Sequence, residues 1–305
     1  MSFEITILGS NSAVSVYGRH QTAQHIKVQN HQFLFDCGEG TQLQLQRYGL
    51  KAQRLEAIFI THLHGDHYLG LVGLLSTLHL QGRTKPLDLY GPPQLSEIIT
   101  THIKYSDTTF RYMLHFHPLN MDEKEVVYEN KQFTITSVPV QHRIPCVGFL
   151  VNEKEHPIRL NKKKLPLNIK IAEIATIKKG EDVLNDDGTV KYAYNELSMG
   201  RRRSRSYAYL TDTIYLPELA ETIKGFDLLY HEATFLTTKE LEASQTYHAS
   251  APQAAQFAKD AEVGKLLLGH FSARYKDLAP FEEEARKIFS DSHIANEGKT
   301  YSIEH

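Results

Sequence analysis

The run Thr61-His62-Leu63-His64-Gly65-Asp66-His67 constrains this chain more than any other part of it. It directly follows the apolar segment Ala57-Ile58-Phe59-Ile60, which reads as a buried strand. His62 and His64 stand two apart, so on an extended chain their side chains point the same way. Gly65 permits a sharp turn, after which Asp66 and His67 open the next helix and face back toward the strand end. Three imidazoles and a carboxylate this close together make a metal site, and the donor set suits zinc, with manganese or iron fitting as well. The donors face two directions, so the spacing points to two ions sharing the loop: His62 and His64 on one, Asp66 and His67 on the other. The missing donors must then come from other strand ends, because a rigid sheet positions its loops. Four places qualify: His142 after Phe133–Val138, Asp212 after Tyr207–Leu210, His231-Glu232 after Asp227–Tyr230, and His270 after Leu266–Leu268.

The rest of the chain alternates short apolar runs with helical patterns, as an α/β protein does. Phe3–Leu8, His25–Gln29, Gln32–Phe35 and Glu56–Ile60 read as strands, followed by a helix over Tyr68–Leu80. Strands are predicted at Leu87–Tyr90, Met113–His117, Glu125–Tyr128, Phe133–Val138, Val147–Val151, Tyr207–Leu210, Phe226–Tyr230 and Lys265–Leu268. Helical spacing recurs over Gln94–Ile103 and Phe281–Phe289, and Ser250-Ala251-Pro252 is a helix start with Ser as cap. A length of 305 residues allows two domains or one large α/β domain. An apolar content of 41% with 23% charged residues excludes a disordered, collagen-like or coiled-coil chain. The longest uncharged apolar stretch, Tyr68–Gly82, is too short for a membrane span. The opening MSFEITILGS has no basic leader region and reads as a strand. Two cysteines, Cys37 and Cys146, point to a reducing compartment, so a cytoplasmic protein is expected.

One segment departs from this pattern. Lys154–Lys179 holds eight basic residues against two acidic ones, in a chain whose net charge is -2. Arg201-Arg202-Arg203-Ser204-Arg205 adds a second basic cluster soon after. The charge itself is compatible with a solvated, mobile loop or with an arm that grips a polyanion through phosphate contacts.

Several motifs in chain order carry a resemblance. These are Phe35-Asp36-Cys37-Gly38-Glu39-Gly40-Thr41-Gln42, Thr61–His67 with Leu69-Gly70-Leu71, Thr211-Asp212-Thr213, His231-Glu232-Ala233-Thr234-Phe235, His248-Ala249-Ser250, and Leu268-Gly269-His270-Phe271-Ser272 with Arg274-Tyr275. Together they resemble the metallo-β-lactamase superfamily and, more closely, its ribonuclease Z family, over nearly the whole chain. The first loop, Gly9-Ser10-Asn11-Ser12-Ala13-Val14-Ser15-Val16, lacks the proline usual in that family, and the basic segment has Leu165-Pro166-Leu167 in place of a Gly-Pro pair.

The resemblance implies an αββα sandwich: two mixed sheets face to face, helices outside, metals at one edge. It implies one domain over residues 1–305 with an inserted basic arm from Glu153 to Tyr194 that binds tRNA, and Lys162, Lys163 and Lys164 lie in that arm. One zinc would take His62, His64 and His142, the second Asp66, His67 and His270, with Asp212 bridging and His231 left structural. Asp66 would also orient or deprotonate the attacking water. His248, near Glu232, would donate a proton to the leaving oxygen, and Arg274 would contact a phosphate. The expected activity is a zinc-dependent endoribonuclease removing the 3′ trailer of precursor tRNA, working as a homodimer, with no membrane partner. A hydrolase of small phosphodiesters, thioesters or lactams has no need of a polycationic segment, and a non-catalytic RNA binder has no need of a full donor set.

Overall fold

The computed structural model describes residues 2–305. A strand covered by helices on one side and by another sheet on the other must be apolar on both faces, and the central strands here are. The first sheet contains β1 (Phe3–Gly9), β2 (Ala23–Val28), β3 (His31–Phe35), β4 (Ala57–Phe59), β5 (Leu87–Gly91) and β6 (Leu114–Pro118). In β3 and β4, Phe33, Phe35 and Phe59 point inward, whereas Leu34 and Ile58 point outward to helices. The second sheet contains β7 (Glu125–Glu129), β8 (Phe133–Val140), β9 (Cys146–Glu153), β12 (Ser206–Leu210), β13 (Leu228–Glu232), β14 (Leu266–Gly269) and β15 (Ser292–Ile294). There Tyr207 and Tyr209 point inward and Ala208 and Leu210 outward. The inner layer is therefore rich in aromatic rings. Phe35 meets Phe149 at 5.1 Å and Tyr209 at 5.7 Å, stitching the sheets together.

Strand β16 (Thr300–Ser302) completes the first sheet, whose order is β16-β1-β2-β3-β4-β5-β6; the second runs β15-β14-β13-β12-β9-β8-β7. Both mix parallel and antiparallel pairs: β1 to β3 form a meander, β3 to β6 are parallel, and β12 to β15 are parallel. Helices α1 (Thr41–Arg47), α3 (Leu71–Leu80) and α4 (Leu95–Tyr105) cover the first sheet, and α8 (Ala251–Asp260) and α9 (Ala279–Arg286) the second. Helix α3 buries Leu71, Leu74, Leu75 and Leu78, one stripe at helical spacing. The layers are helix, sheet, sheet, helix, as expected.

Several elements differ from the sequence reading. The helix expected over Tyr68–Leu80 is two helices, α2 (Gly65–Tyr68) and α3, separated at Leu69-Gly70. The break lets Gly70 lie against the backbone at Gly38, where a side chain at Gly70 would stand 2.1 Å from the Gly38 carbonyl oxygen. Strands β15 and β16 and the short helix α7 (Glu240–Gln245) have no counterpart among the predicted elements, because their runs are short and carry no clear apolar period.

The basic segment is not a plain loop. Between β9 and β12 it forms α5 (Ile171–Lys179), β10 (Val183–Leu184), β11 (Val190–Tyr192) and α6 (Tyr194–Leu197) around a small core of Ile177, Val183 and Leu197. Its two legs pair through Leu160 and Ser198, and Met199 donates to the Arg159 carbonyl at 2.7 Å. The excursion thus returns to the sheet at Ser206, beyond the boundary expected at Tyr194. Its root is fastened by buried Glu153, which accepts from Arg205 Nη2 at 2.7 Å and Nε at 2.9 Å. Burial would raise the Glu153 carboxyl, but Arg205 and His156 outweigh it and hold it down at about 2.

Candidate metal centre

The carboxyl ends of β4, β8, β12, β13 and β14 meet at one edge of the sandwich; a residue of the predicted set follows four of them, and Glu232 is the last residue of β13. Positive φ angles at Asp212 and His270, 49° and 58°, show how sharply the chain leaves two of these strands, and Asp36 leaves β3 in the same way at 55°. Such backbone is rare for residues with a Cβ and persists where the surroundings over-determine it.

Two donor groups result. In the first, Nδ1 of His64 lies 3.1 Å from Nε2 of His62 and 3.0 Å from Nε2 of His142. In the second, Nε2 of His67 and of His270 lie 3.3 Å apart, with Asp66 Oδ2 within 3.7 Å of both. Asp212 stands between the groups. Its Oδ2 is 3.5 Å from His62 and from His142, and its Oδ1 is 3.1 Å from His67 and 3.0 Å from His270. The donor atoms of each group all fall within 4.8 Å of one another.

The chemistry of these donors fits divalent cations. Burial lowers the His62 imidazole, and burial with neighbouring imidazoles holds His64 at about 4; burial likewise holds His142 at about 4. All three are neutral at pH 7, the form that ligates. The second group is acidic. Burial would lower His67, but Asp212, Asp36 and Asp66 outweigh it and raise it well above the usual range, so positive charge is favoured there.

The ring nitrogens that face away from the cluster are held too, which fixes tautomer and ring orientation. Nδ1 of His67 donates to Asp36 Oδ2 at 2.8 Å, Nδ1 of His62 to Thr61 Oγ1 at 3.0 Å, Nδ1 of His270 to Thr234 Oγ1 at 3.0 Å, and Nδ1 of His142 to the Tyr247 carbonyl at 3.0 Å. In the sequence Asp36 stands out only as part of the motif Phe35–Gln42. It is fully buried and also accepts from the Thr61 backbone at 2.8 Å and from Tyr209 Oη at 2.8 Å. Gly38, in the same motif, lets the metal loop approach: a side chain there would lie 2.4 Å from the Asp66 carbonyl oxygen.

Glu232 and His248 lie beside the second group. Buried Glu232 accepts from His248 Nδ1 at 2.9 Å, from the Thr213 backbone at 2.6 Å, from Thr234 Oγ1 at 2.7 Å and from the Ala249 backbone at 3.0 Å. Burial alone would lower the His248 imidazole; Glu232 outweighs it and holds it at about 9. His231 is buried with Nδ1 donating to the Glu232 carbonyl at 2.7 Å, away from the donor groups.

His64, Asp66, His142, Asp212, His248 and His270 line a cleft of about 470 Å³, together with Arg143, Phe235, Glu242 and Arg274. Arg274 pairs with Glu242 at 2.6 Å and lies over the Phe235 ring. Lys162, Lys163 and Lys164 are exposed on the excursion, away from the cleft, with no ion pair among the described residues. The second basic cluster is largely neutralised: Arg201 pairs with Glu155, Arg203 with Asp227 and Arg205 with Glu153.

Two family models match the chain, the anti-Pycsar protein Apyc1 over residues 3–157 and a β-lactamase superfamily domain over residues 195–271. Relatives align across both halves at once. Ribonuclease Z of Cytophaga hutchinsonii is 47% identical over 99% of this chain and 97% of its own, and ribonuclease Z of Bacteroides thetaiotaomicron is 41% identical over 99% and 95%. The chain belongs to the ribonuclease Z family. It is an endoribonuclease by that membership, built on the metallo-β-lactamase fold. Among solved structures, human tRNase Z, short form, superposes with a TM-score of 0.72 at 27% identity, covering 99% of this ribonuclease and all of that chain.

Proposed function

We propose that this ribonuclease is a two-zinc enzyme that removes the 3′ trailer of precursor tRNA, cutting after the discriminator base to leave a tRNA 3′-OH and a trailer 5′-phosphate. The observation that carries the reading is Asp212, whose two oxygens each face one histidine group. The names of the relatives and of the human structural neighbour support the substrate, and so does the exposed lysine run.

His62, His64 and His142 would hold one zinc, Asp66, His67 and His270 the other, and Asp212 both; manganese or iron suit the same donors. Such a pair supplies acidified water and neutralises charge on the phosphate oxygens. Asp66 orients that water: its Oδ2 already accepts from the Ala13 backbone at 2.7 Å, which fixes the carboxylate. The trailer keeps the phosphate, so the oxygen that leaves is the ribose 3′ oxygen of the discriminator nucleotide. His248, kept protonated by Glu232, gives that oxygen its proton. Arg274 lies at the mouth, where a flanking phosphate would pass, and would exchange Glu242 for it. The excursion from Glu153 onward grips the body of the tRNA through Lys162, Lys163 and Lys164. The enzyme works as a homodimer in the cytoplasm.

The test is cleavage of a 3′-extended precursor tRNA by the purified protein, with metal content measured on the same sample. A single cut after the discriminator base, lost on chelation and restored by zinc, is expected. Two bound metals per chain without a cut would overturn the substrate, and a cut unaffected by chelation would overturn the chemistry.

A further inference from the structure

Four of the five histidines of the metal centre turn Nδ1 away from the cluster and donate it to an oxygen of the protein. His64 is the exception. It presents Nδ1 to the cluster, and its Nε2 faces Nη2 of Arg143 at 3.2 Å. A guanidinium has five donors and no acceptor, so this contact requires the lone pair of His64 to sit on Nε2. A cation ligated by Nδ1 takes the lone pair there and leaves the ring proton on Nε2. Two donors would then face each other at 3.2 Å, and the contact breaks.

Arg143 has nothing else to hold it. Among the described residues it makes no ion pair, and it is exposed at the cleft mouth, directly after the donor His142. Arg274 on the same rim differs, since Glu242 neutralises it and Phe235 supports its plane. Once released, Arg143 is an uncompensated cation beside the donor groups, and its planar fork matches the oxygens of a phosphodiester.

We infer that Arg143 is a substrate-binding residue of this cleft. It is released from His64 when the first donor group takes its cation, and it then binds a backbone phosphate of the RNA next to the scissile one. Metal loading and RNA affinity are thereby coupled through a single side chain. The inference rests on the reading of the cleft as an RNA-cleaving site.

The test measures binding of precursor tRNA against salt, in a His248→Ala background with the RNA checked on gels for integrity. Each protein is compared zinc-loaded and stripped of transition metals with phenanthroline, with Mg²⁺ kept in both for RNA folding. In the loaded protein, Arg143→Ala should weaken binding about tenfold and flatten the salt slope by about one unit, and Arg143→Lys should restore the slope. In the stripped protein the same substitution should change neither. An unchanged slope in loaded Arg143→Ala overturns the phosphate contact. An equal loss in the stripped protein overturns the release by the metal. Failure of the His248→Ala parent itself to prefer precursor tRNA over an unstructured RNA of equal length would instead overturn the RNA reading, and this inference with it.

Discussion

The metal centre and the basic excursion both depend on charged side chains, yet they are built in opposite ways. At the centre, donors converge from four strand ends, and Asp36, Thr61, Thr234, Glu232 and Tyr247 hold the groups behind them. In the excursion, a core centred on Ile177, Val183 and Leu197 holds up a surface on which Lys162, Lys163 and Lys164 are exposed and, among the described residues, make no ion pair. Chemistry at one phosphorus atom needs each group placed to a fraction of an ångström. Attraction for a polyanion needs charge in the right region and tolerates mobile side chains. Single substitutions should therefore act steeply at the centre and gradually on the excursion.

The sharpest break is expected at Asp212, which faces both donor groups. Asp212→Ala should lower turnover by on the order of a thousandfold or more and leave less than the full metal content, read by elemental analysis beside activity. A metal content and turnover close to wild type would show that the two groups need no bridge.

Next comes His248. His248→Ala should lower kcat by about a hundredfold while RNA binding stays nearly intact. Its pH dependence has a defined sign. Glu232 holds the imidazole at about 9, above the usual histidine value, so the proton it donates is in place below that pH and lost as pH rises through it. Glu232→Gln removes the raising charge, so the alkaline limb of kcat should move down by at least about one unit. A limb that stays in place in Glu232→Gln would assign it to another group.

The excursion should respond more mildly and in a different constant. Replacing residues 157–200 by a short linker keeps the Glu153–Arg205 pair. It should raise KM for precursor tRNA by about tenfold or more, since remote contacts contribute binding energy, while a small phosphodiester is still hydrolysed. Loss of both activities would make the excursion part of the catalytic body. The smallest effects belong to Lys162, Lys163 and Lys164. Each neutralisation should weaken RNA binding a few-fold and reduce the salt slope by about one unit per phosphate contact. An unchanged slope in the triple variant would remove them from the interface.

The same contrast governs what could be read in the chain. The loop from Thr61 to His67 is legible because donors two apart just beyond a strand end and at the start of a helix are a local pattern. Asp36 lies in the motif Phe35–Gln42, yet its role is a contact with His67 and Tyr209, residues 31 and 173 positions away. Arg143 gave one weak signal, its place directly after His142, and its meaning depends on which nitrogen of His64 turns outward. The split at Leu69-Gly70 was invisible because the apolar period continues across it, and only the approach of Gly38 requires it. In the second basic cluster, charge counting overstated what is free: the partners Glu155, Asp227 and Glu153 come from elsewhere in the fold.

The sequence by itself determined the donor types, the strand ends that present them and the alternation that makes two double-faced sheets. These are local properties of spacing, side-chain chemistry and period. The tertiary structure alone decided that the donors divide around the two oxygens of Asp212, that Glu232 holds His248, and which basic residues remain unpaired. Those outcomes depend on distances between segments far apart in the chain, which are set by how two aromatic-lined sheets pack face to face.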